Sequence, residues 1–219
     1  MKYKCLILDH DDTVVDSTAS IHFPSFIEFL KIYRPSIVGN YTFESFILKN
    51  FTPGIVSLLR DEVGLNDEEL AVEEQFWLDF AKNIIPDAYD GIGKIIADFR
   101  ARGGIIAVSS HSFAKNIIRD YEGNRLPMPD VIYGWDLERE KRKPATFTVD
   151  DLIARYGFDK SEILMVDDLK PGLDMALAAG IDFAAAGWAH DVKSIERFMR
   201  DNCDYYFKKP SELAKMLFD

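Results

Sequence analysis

The sequence predicts an α/β protein: a doubly wound parallel sheet with a helical bundle inserted after its first strand. Three observations carry that expectation. Leu6-Ile7-Leu8, Ile105-Ile106-Ala107-Val108 and Ile163-Leu164-Met165-Val166 are apolar without alternation, as strands buried on both faces are. From about Ala88 onward such runs alternate with helical patterns, the signature of a parallel sheet. Residues 16–84 hold helical periodicity and no strand pattern.

In chain order, the first strand runs over Lys4–Leu8 and meets Asp9-His10-Asp11-Asp12-Thr13. Asp16 or Ser17 is the expected cap of the first helix. Phe26, Phe29, Leu30 and Tyr33 then recur at three-to-four spacing, followed by Phe43, Phe46 and Ile47, by Ile55, Leu58 and Leu59, and by Leu70, Phe76, Trp77 and Phe80. Breaks at Arg34-Pro35, Gly39-Asn40, Thr52-Pro53-Gly54 and 64–67 divide this span into about four helices, whose aromatics form a core of their own. Pro86 marks the change of regime. Helices are expected over 88–101, 113–121, 146–156, 173–179, 194–199 and 212–217, and strands over 105–108, 131–133, 163–166, 181–185 and 205–207. The expected division is therefore residues 1–15 with 85–219 as the sheet domain and 16–84 as the helical insert.

At 219 residues the chain is long enough for one sizeable core plus a smaller insert. Hydrophobic residues make up 47% of it, which places it among globular proteins. A formal net charge of −11 argues against nucleic acid or an anionic membrane surface as partner. Two cysteines, Cys5 and Cys203, make no disulfide framework, and Cys5 falls inside a buried strand. The N-terminus enters a strand with no hydrophobic leader, and no apolar run is long enough to span a bilayer, so a cytoplasmic location is expected.

Parallel strands bring their carboxyl ends to one edge of the sheet, where ligands of open α/β folds bind. That edge gathers Asp9, Asp11 and Asp12, then Ser109, then Asp167 and Asp168, with Lys143 from the loop after 131–133. Two carboxylates ~5 Å apart at an effective dielectric of ~20 repel by about 3 kcal/mol. Three such pairs approach ~10 kcal/mol, comparable with the stability of a whole domain. A cation, an ammonium or a raised pKa must relieve that repulsion. Carboxylates drawn from different strands suit a hard cation with oxygen ligands, Mg2+ above all where phosphate is handled, and a serine and a lysine beside them can hold an anion.

These residues resemble the four ordered motifs of the haloacid dehalogenase superfamily of aspartate-nucleophile hydrolases. The motifs are Asp9-His10-Asp11-Asp12-Thr13, the strand ending at Ser109, Lys143-Pro144, and Val166-Asp167-Asp168 leading to a helix that closes at Ala179-Gly180. The resemblance implies a Rossmann-like core with an inserted α-helical cap, closest to phosphoglycolate-phosphatase-like and β-phosphoglucomutase-like members. It implies Asp9 as nucleophile and Asp11 as general acid and base. Mg2+ would be held by Asp9, Asp167, Asp168 and the Asp11 backbone carbonyl. Ser109 and Lys143 would bind the phosphoryl group, with Ser110 and His111 beside them toward the substrate. An Asp at position 11, where dehalogenases lack an acid, favours a Mg2+-dependent phosphatase of a small phosphorylated metabolite, acting as a monomer or weak homodimer. A phosphomutase is the second reading, for which His22 stands one position from the histidine of some family mutases. A non-catalytic binding or regulatory protein is the third. Asp12 departs from the family pattern, which has Gly there, and His10 fills a usually apolar slot. Asp174 is expected to be an ordinary helix residue, and Gly172 fits the subtype in which the two acids are adjacent.

Overall fold

A computed structural model describes residues 1–219. Six parallel strands form one sheet: β1 (Cys5–Leu8), β2 (Ile105–Ser109), β3 (Val131–Tyr133), β4 (Ile163–Asp167), β5 (Asp182–Ala186) and β6 (Tyr205–Phe207), in the order β3-β2-β1-β4-β5-β6. The direction of winding reverses at β1, so the crevice between β1 and β4 is the topological switch point. Leu8 pairs with Val108 on one side and Val166 on the other, which aligns the ends of three strands.

The chain divides into two compact units, Met1–Asp16 with Asp87–Asp219, and Ser17–Pro86. In the first unit Leu6, Leu8, Ile106, Val108, Leu164 and Val166 face a cluster built from three helices: α5 (Ile92–Ala101), α6 (Ala114–Gly123) and α10 (Pro210–Phe218). The alternate residues Cys5, Ile7, Ala107 and Met165 are also buried, which is why β1, β2 and β4 read as continuous apolar runs. A Leu or Ile buried this completely contributes about 1.5–3 kcal/mol. Helix α7 (Phe147–Tyr156) precedes β4, α8 (Lys170–Ala179) packs on β4 and β5, and α9 (Lys193–Asn202) leads to β6. Helices α7 and α8 end on Gly157 and Gly180 at φ of 70° and 71°, the left-handed termination that glycine permits without steric cost.

Several boundaries differ from the expected ones. The helix expected from Ala88 starts at Ile92 instead. The Tyr89 amide donates to the Val14 carbonyl and Ala88 bridges Val15, so this stretch is held as extended chain before Gly91 turns it. Helix α8 starts at Lys170 rather than Leu173, because Pro171 lies in the first turn, where its missing N–H costs nothing. Helix α10 starts at Pro210 rather than Glu212 for the same reason.

The second unit is helical throughout: α1 (Phe23–Tyr33), α2 (Phe43–Phe51), α3 (Ile55–Ser57) and α4 (Asp67–Ala81), with π-type turns over Thr18–His22 and Leu58–Glu62. Phe26, Phe29, Leu30, Phe46, Leu58, Leu59, Val63 and Leu65 form its core. Capping boxes at Thr42/Ser45 and Asn66/Glu69 start α2 and α4. The expected cap at Asp16 or Ser17 is not made. Ser17 precedes the π-type turn in helical backbone without a capping side-chain bond, and the Asp16 amide donates to the Asp87 carbonyl in the first unit. No helix is long and apolar enough to cross a membrane. Cys5 and Cys203 are free, and burial pushes the Cys5 thiol up to about 12, as befits a core position.

Candidate active site

The end of β1 and the end of β4 form the centre of the site. The Asp9 amide donates to the Val166 carbonyl at 2.9 Å, extending the ladder by one step and setting Asp9 beside Asp167. Oxygens of Asp9, Asp167 and Asp168 lie within 4.8 Å of one another, and all three residues are buried. Lys143 enters from the segment between β3 and α7. Its Nζ lies 2.6 Å from Asp167 Oδ2 and 2.9 Å from Asp9 Oδ1. Burial alone would lower its pKa, but the Asp167 and Asp9 carboxylates outweigh that and hold the ammonium above its usual value.

The helix that follows β4 supports this cluster. Asp167 Oδ1 accepts from the Leu169 amide at 2.7 Å. A Cβ on Gly172, in the first turn of α8, would stand 2.1 Å from Asp167 Oδ2, so the absence of a side chain makes room for that carboxylate. Thr13 Oγ1 donates to Asp168 Oδ1 at 3.4 Å, and Trp188 Nε1 donates to the Thr13 carbonyl at 3.1 Å. Asp12 takes a positive φ of 56°, which Asp tolerates better than most residues that are not glycine.

Asp11 stands apart from the three clustered carboxylates. Its Oδ2 accepts from Ser112 Oγ at 2.5 Å and from Ser110 Oγ at 3.4 Å, in the segment after β2. Ser109 is buried, its hydroxyl 3.2 Å from Thr148 Oγ1 on α7. His111 Nε2 lies 3.1 Å from the Lys143 carbonyl, and its ring meets Trp135 edge-on at 5.5 Å. Although His111 has an exposed edge, the protein crowded around it, and next the Lys143 ammonium, hold its pKa below the usual histidine value. The structure thus gathers Asp9, Asp167 and Asp168, places Lys143 against Asp9 and Asp167, and sets Asp11 with Ser110. It turns Asp174 away into an ion pair with Lys170 at 2.6 Å. His190 is a half-buried loop residue whose Nδ1 accepts from the Val192 amide at 3.4 Å.

Two contacts escape a reading of motifs. Of the two serine hydroxyls on Asp11, Ser112 makes the shorter bond, and its only trace in the sequence is its place in the run Ser109-Ser110-His111-Ser112. Thr148 touches Ser109 from a helix far along the chain, with no local signal at all.

The donor set fits a divalent cation. Three carboxylates and one ammonium leave two negative charges. Asp9 Oδ1 is buried and lies close to Lys143 Nζ, yet outside hydrogen-bond geometry, so one lone pair there has no hydrogen-bond partner. Burial first, then Asp9, raises the Asp167 pKa, and burial first, then Asp12, Asp167 and Asp9, raises that of Asp168. A hard cation among oxygen ligands relieves that strain.

Residues 6–186 match the family model of the haloacid dehalogenase-like hydrolases. No curated protein matches the sequence. Among solved structures, the chain is similar to a haloacid dehalogenase-like hydrolase from Bacteroides fragilis, with a TM-score of 0.78, 19% identity and coverage of 97% of this chain and 100% of that one. It is similar to a predicted phosphoglycolate phosphatase from Haemophilus somnus 129pt, with a TM-score of 0.75, 16% identity and 99% of each chain covered. It is also similar to the HAD-hydrolase YfnB from Bacillus subtilis bound to magnesium, with a TM-score of 0.68, 16% identity and 100% of each chain covered. At these identities the likeness is one of fold.

Proposed function

Because this chain belongs to the haloacid dehalogenase-like hydrolases, we propose that it is a Mg2+-dependent phosphatase acting on a small phosphorylated metabolite through an aspartyl-phosphate intermediate. One observation carries the reading. Asp9, beside Lys143 Nζ at 2.9 Å, shares a buried cluster with Asp167 and Asp168, while Asp11 is held two residues away by Ser112.

Asp9 is the nucleophile. Its carboxylate oxygen attacks phosphorus, and the bond from phosphorus to the leaving alcohol breaks. Asp11, its Oδ2 fixed by Ser112, gives its proton to the departing oxygen. In the second step Asp11 takes a proton from water, the water oxygen attacks phosphorus, and the bond to Asp9 breaks to release phosphate. Lys143 holds the Asp9 carboxylate in place and offsets charge on the phosphoryl oxygens. Ser109 and Ser110 supply hydroxyls at the same strand end, and His111 lines the approach. Mg2+ would be held by Asp9, Asp167 and Asp168, supplying positive charge where the transferring group carries negative charge. A relative of this fold is bound to magnesium, which supports the choice of ion.

A specific contact weighs against the phosphomutase reading. In the helical unit Trp77 Nε1 donates to His22 Nδ1 at 3.0 Å, and the two rings stack. An indole N–H can only donate, so the proton of neutral His22 sits on Nε2 and its basic nitrogen is already engaged. Such a ring is poorly suited to act as the base of a sugar hydroxyl.

The test is phosphate release from a panel of phosphorylated metabolites, with Mg2+ or with EDTA, for wild type and Asp9→Asn. Release that needs both the metal and Asp9 is the expected result. The variant should lose about 10⁴-fold or more in turnover at unchanged circular dichroism. Wild-type activity in the pure variant would overturn the assignment of the nucleophile.

A further inference from the structure

Between the two catalytic aspartates stands a histidine whose surroundings the proposed chemistry does not use. His10 is fully buried, and its ring reaches α6. There Nε2 donates to Asp120 Oδ2 at 3.1 Å. Asp120 Oδ1 accepts from Arg119 Nε at 2.8 Å and from Arg119 Nη2 at 2.7 Å. Tyr121, also fully buried, stacks on the imidazole at 5.9 Å with an interplanar angle of 24°. Asp120 is 3% exposed, so its charge is buried, and the Arg119 guanidinium is what balances it.

This arrangement is a poor way to fill a core. His10 Nδ1 and Tyr121 Oη are both buried without hydrogen-bond partners, a cost that leucine and phenylalanine would avoid at similar volume. A buried charged group with its partners can instead specify one geometry. The geometry at stake is that of the Asp9–Val15 turn. The His10 carbonyl accepts from the Val14 amide at 2.9 Å and the Val15 amide at 3.1 Å, so this residue is the hub of the turn. Its ring is tied to α6, and Asp11 is tied through Ser112 to the segment just before α6. Two adjacent residues of the turn are thereby moored to one neighbouring element.

We propose that His10 is a positioning residue. Held by the Asp120–Arg119 ion pair, its imidazole anchors the turn that presents Asp9 and Asp11, and so sets kcat without touching substrate. The effect on kcat rests on the phosphatase reading; the anchoring itself does not. Asp9 and Asp11 act on opposite sides of the transferring phosphorus, and misplacement by about 1 Å can cost ~10²-fold in rate.

The experiment compares His10→Leu, His10→Gln, Asp120→Leu and the double variant His10→Leu/Asp120→Leu. Glutamine can offer its Nε2 donor near the place of the imidazole Nε2, so it separates the tether from the packing. His10→Leu should lose ~10-fold or more in kcat with KM within about twofold of wild type, and His10→Gln should recover most of that loss. The double variant should be no worse than the poorer single one, because both substitutions cut the same tether. Amide hydrogen exchange supplies a readout that needs no turnover. Val14 and Val15 should exchange faster in His10→Leu and return toward wild type in His10→Gln, at little change in Tm. Wild-type kcat or wild-type protection of Val14 and Val15 in His10→Leu would overturn the proposal, as would a His10→Gln variant as impaired as His10→Leu. If wild type itself released no phosphate, or if Asp9→Asn stayed active, the phosphatase reading would fail instead. The exchange comparison would then decide the anchoring by itself.

Discussion

The two edges of the central sheet use the same kinds of charged residue in opposite ways. At the edge where the strands begin, each acid has a partner within reach of water. Lys2 Nζ meets Asp182 at 2.6 Å, Tyr3 Oη donates to the same carboxylate at 2.5 Å, Lys4 pairs with Glu162, and Arg100 pairs with Asp130 at 2.8 Å. At the edge where the strands end, the buried carboxylates of Asp9, Asp167 and Asp168 are gathered around one ammonium that contacts Asp9 and Asp167. Partnered charges near the surface contribute little to stability and need nothing else. Outnumbered charges in the interior are costly until something of opposite sign arrives. The contrast separates charges that are already balanced near the surface from buried charges that still call for a counter-ion.

The sharpest way to break that contrast is to remove Lys143, the cation in contact with the buried carboxylates. Lys143→Met leaves the carboxylates uncompensated and should destabilise the chain by about 3–5 kcal/mol. Urea unfolding would measure the loss, and divalent cation should recover part of it. An unchanged midpoint would mean that the cluster is already protonated and neutral.

Adding Mg2+ tests the same imbalance from the other side. At about 100 times its dissociation constant, a ligand that binds the native state alone stabilises by about 2.7 kcal/mol. The Tm should rise with Mg2+ in wild type and in Asp182→Asn, and should not rise in Asp168→Asn. A rise that survived in Asp168→Asn would place the ion elsewhere.

Gly172→Ala is a subtler intrusion. Alanine favours the helix, yet its Cβ would press on Asp167 at 2.1 Å. We expect a net loss of about 1–3 kcal/mol, as for other overpacked sites, with a weaker Mg2+ response. A more stable protein with unaltered Mg2+ response would show that α8 can shift to absorb the methyl group.

The smallest effect belongs to the opposite edge. Burial raises the Asp182 pKa, but the bonds from Lys2 and Tyr3 outweigh it and hold the carboxyl below its usual range. A carboxylate with a depressed folded pKa stabilises above its unfolded value and loses that contribution as pH falls through the folded one. Asp182→Asn should therefore cost at most about 1 kcal/mol at pH 7, since the Lys2 partner is largely exposed, and progressively less as pH falls through the folded value. A cost that did not shrink as the pH was lowered would point to packing rather than charge.

Much of this was legible along the chain because it is written in short-range patterns. Unalternating apolar runs mark β1, β2 and β4, since a strand covered on both faces has no polar side to show. Aromatics at three-to-four spacing mark α1 and α2. Gly180 marks a helix end, since a left-handed residue is needed there. Asp9, Asp11, Ser109, Lys143, Asp167 and Asp168 were legible as a set, because a parallel sheet delivers every strand end to one edge. Where local signals compete with distant ones the reading slips. Residues 88–91 have the composition of a helix start, yet a bond from the Tyr89 amide to the Val14 carbonyl draws them out as extended chain.

The tertiary structure alone decided which side chains meet. Ser112 reaches Asp11 across 101 positions, Thr148 reaches Ser109 across 39, and Asp120 reaches His10 across 110. In the sequence those residues are a serine in a serine-rich turn, a threonine in a helix and one acid among many. Periodicity and turn chemistry are properties of neighbouring residues, so the chain itself determined its strands, its helices and the edge where its acids gather. A hydrogen bond between distant residues exists only once the intervening chain has packed. The partners that orient Asp11 and moor His10 are therefore products of the fold rather than of any local pattern.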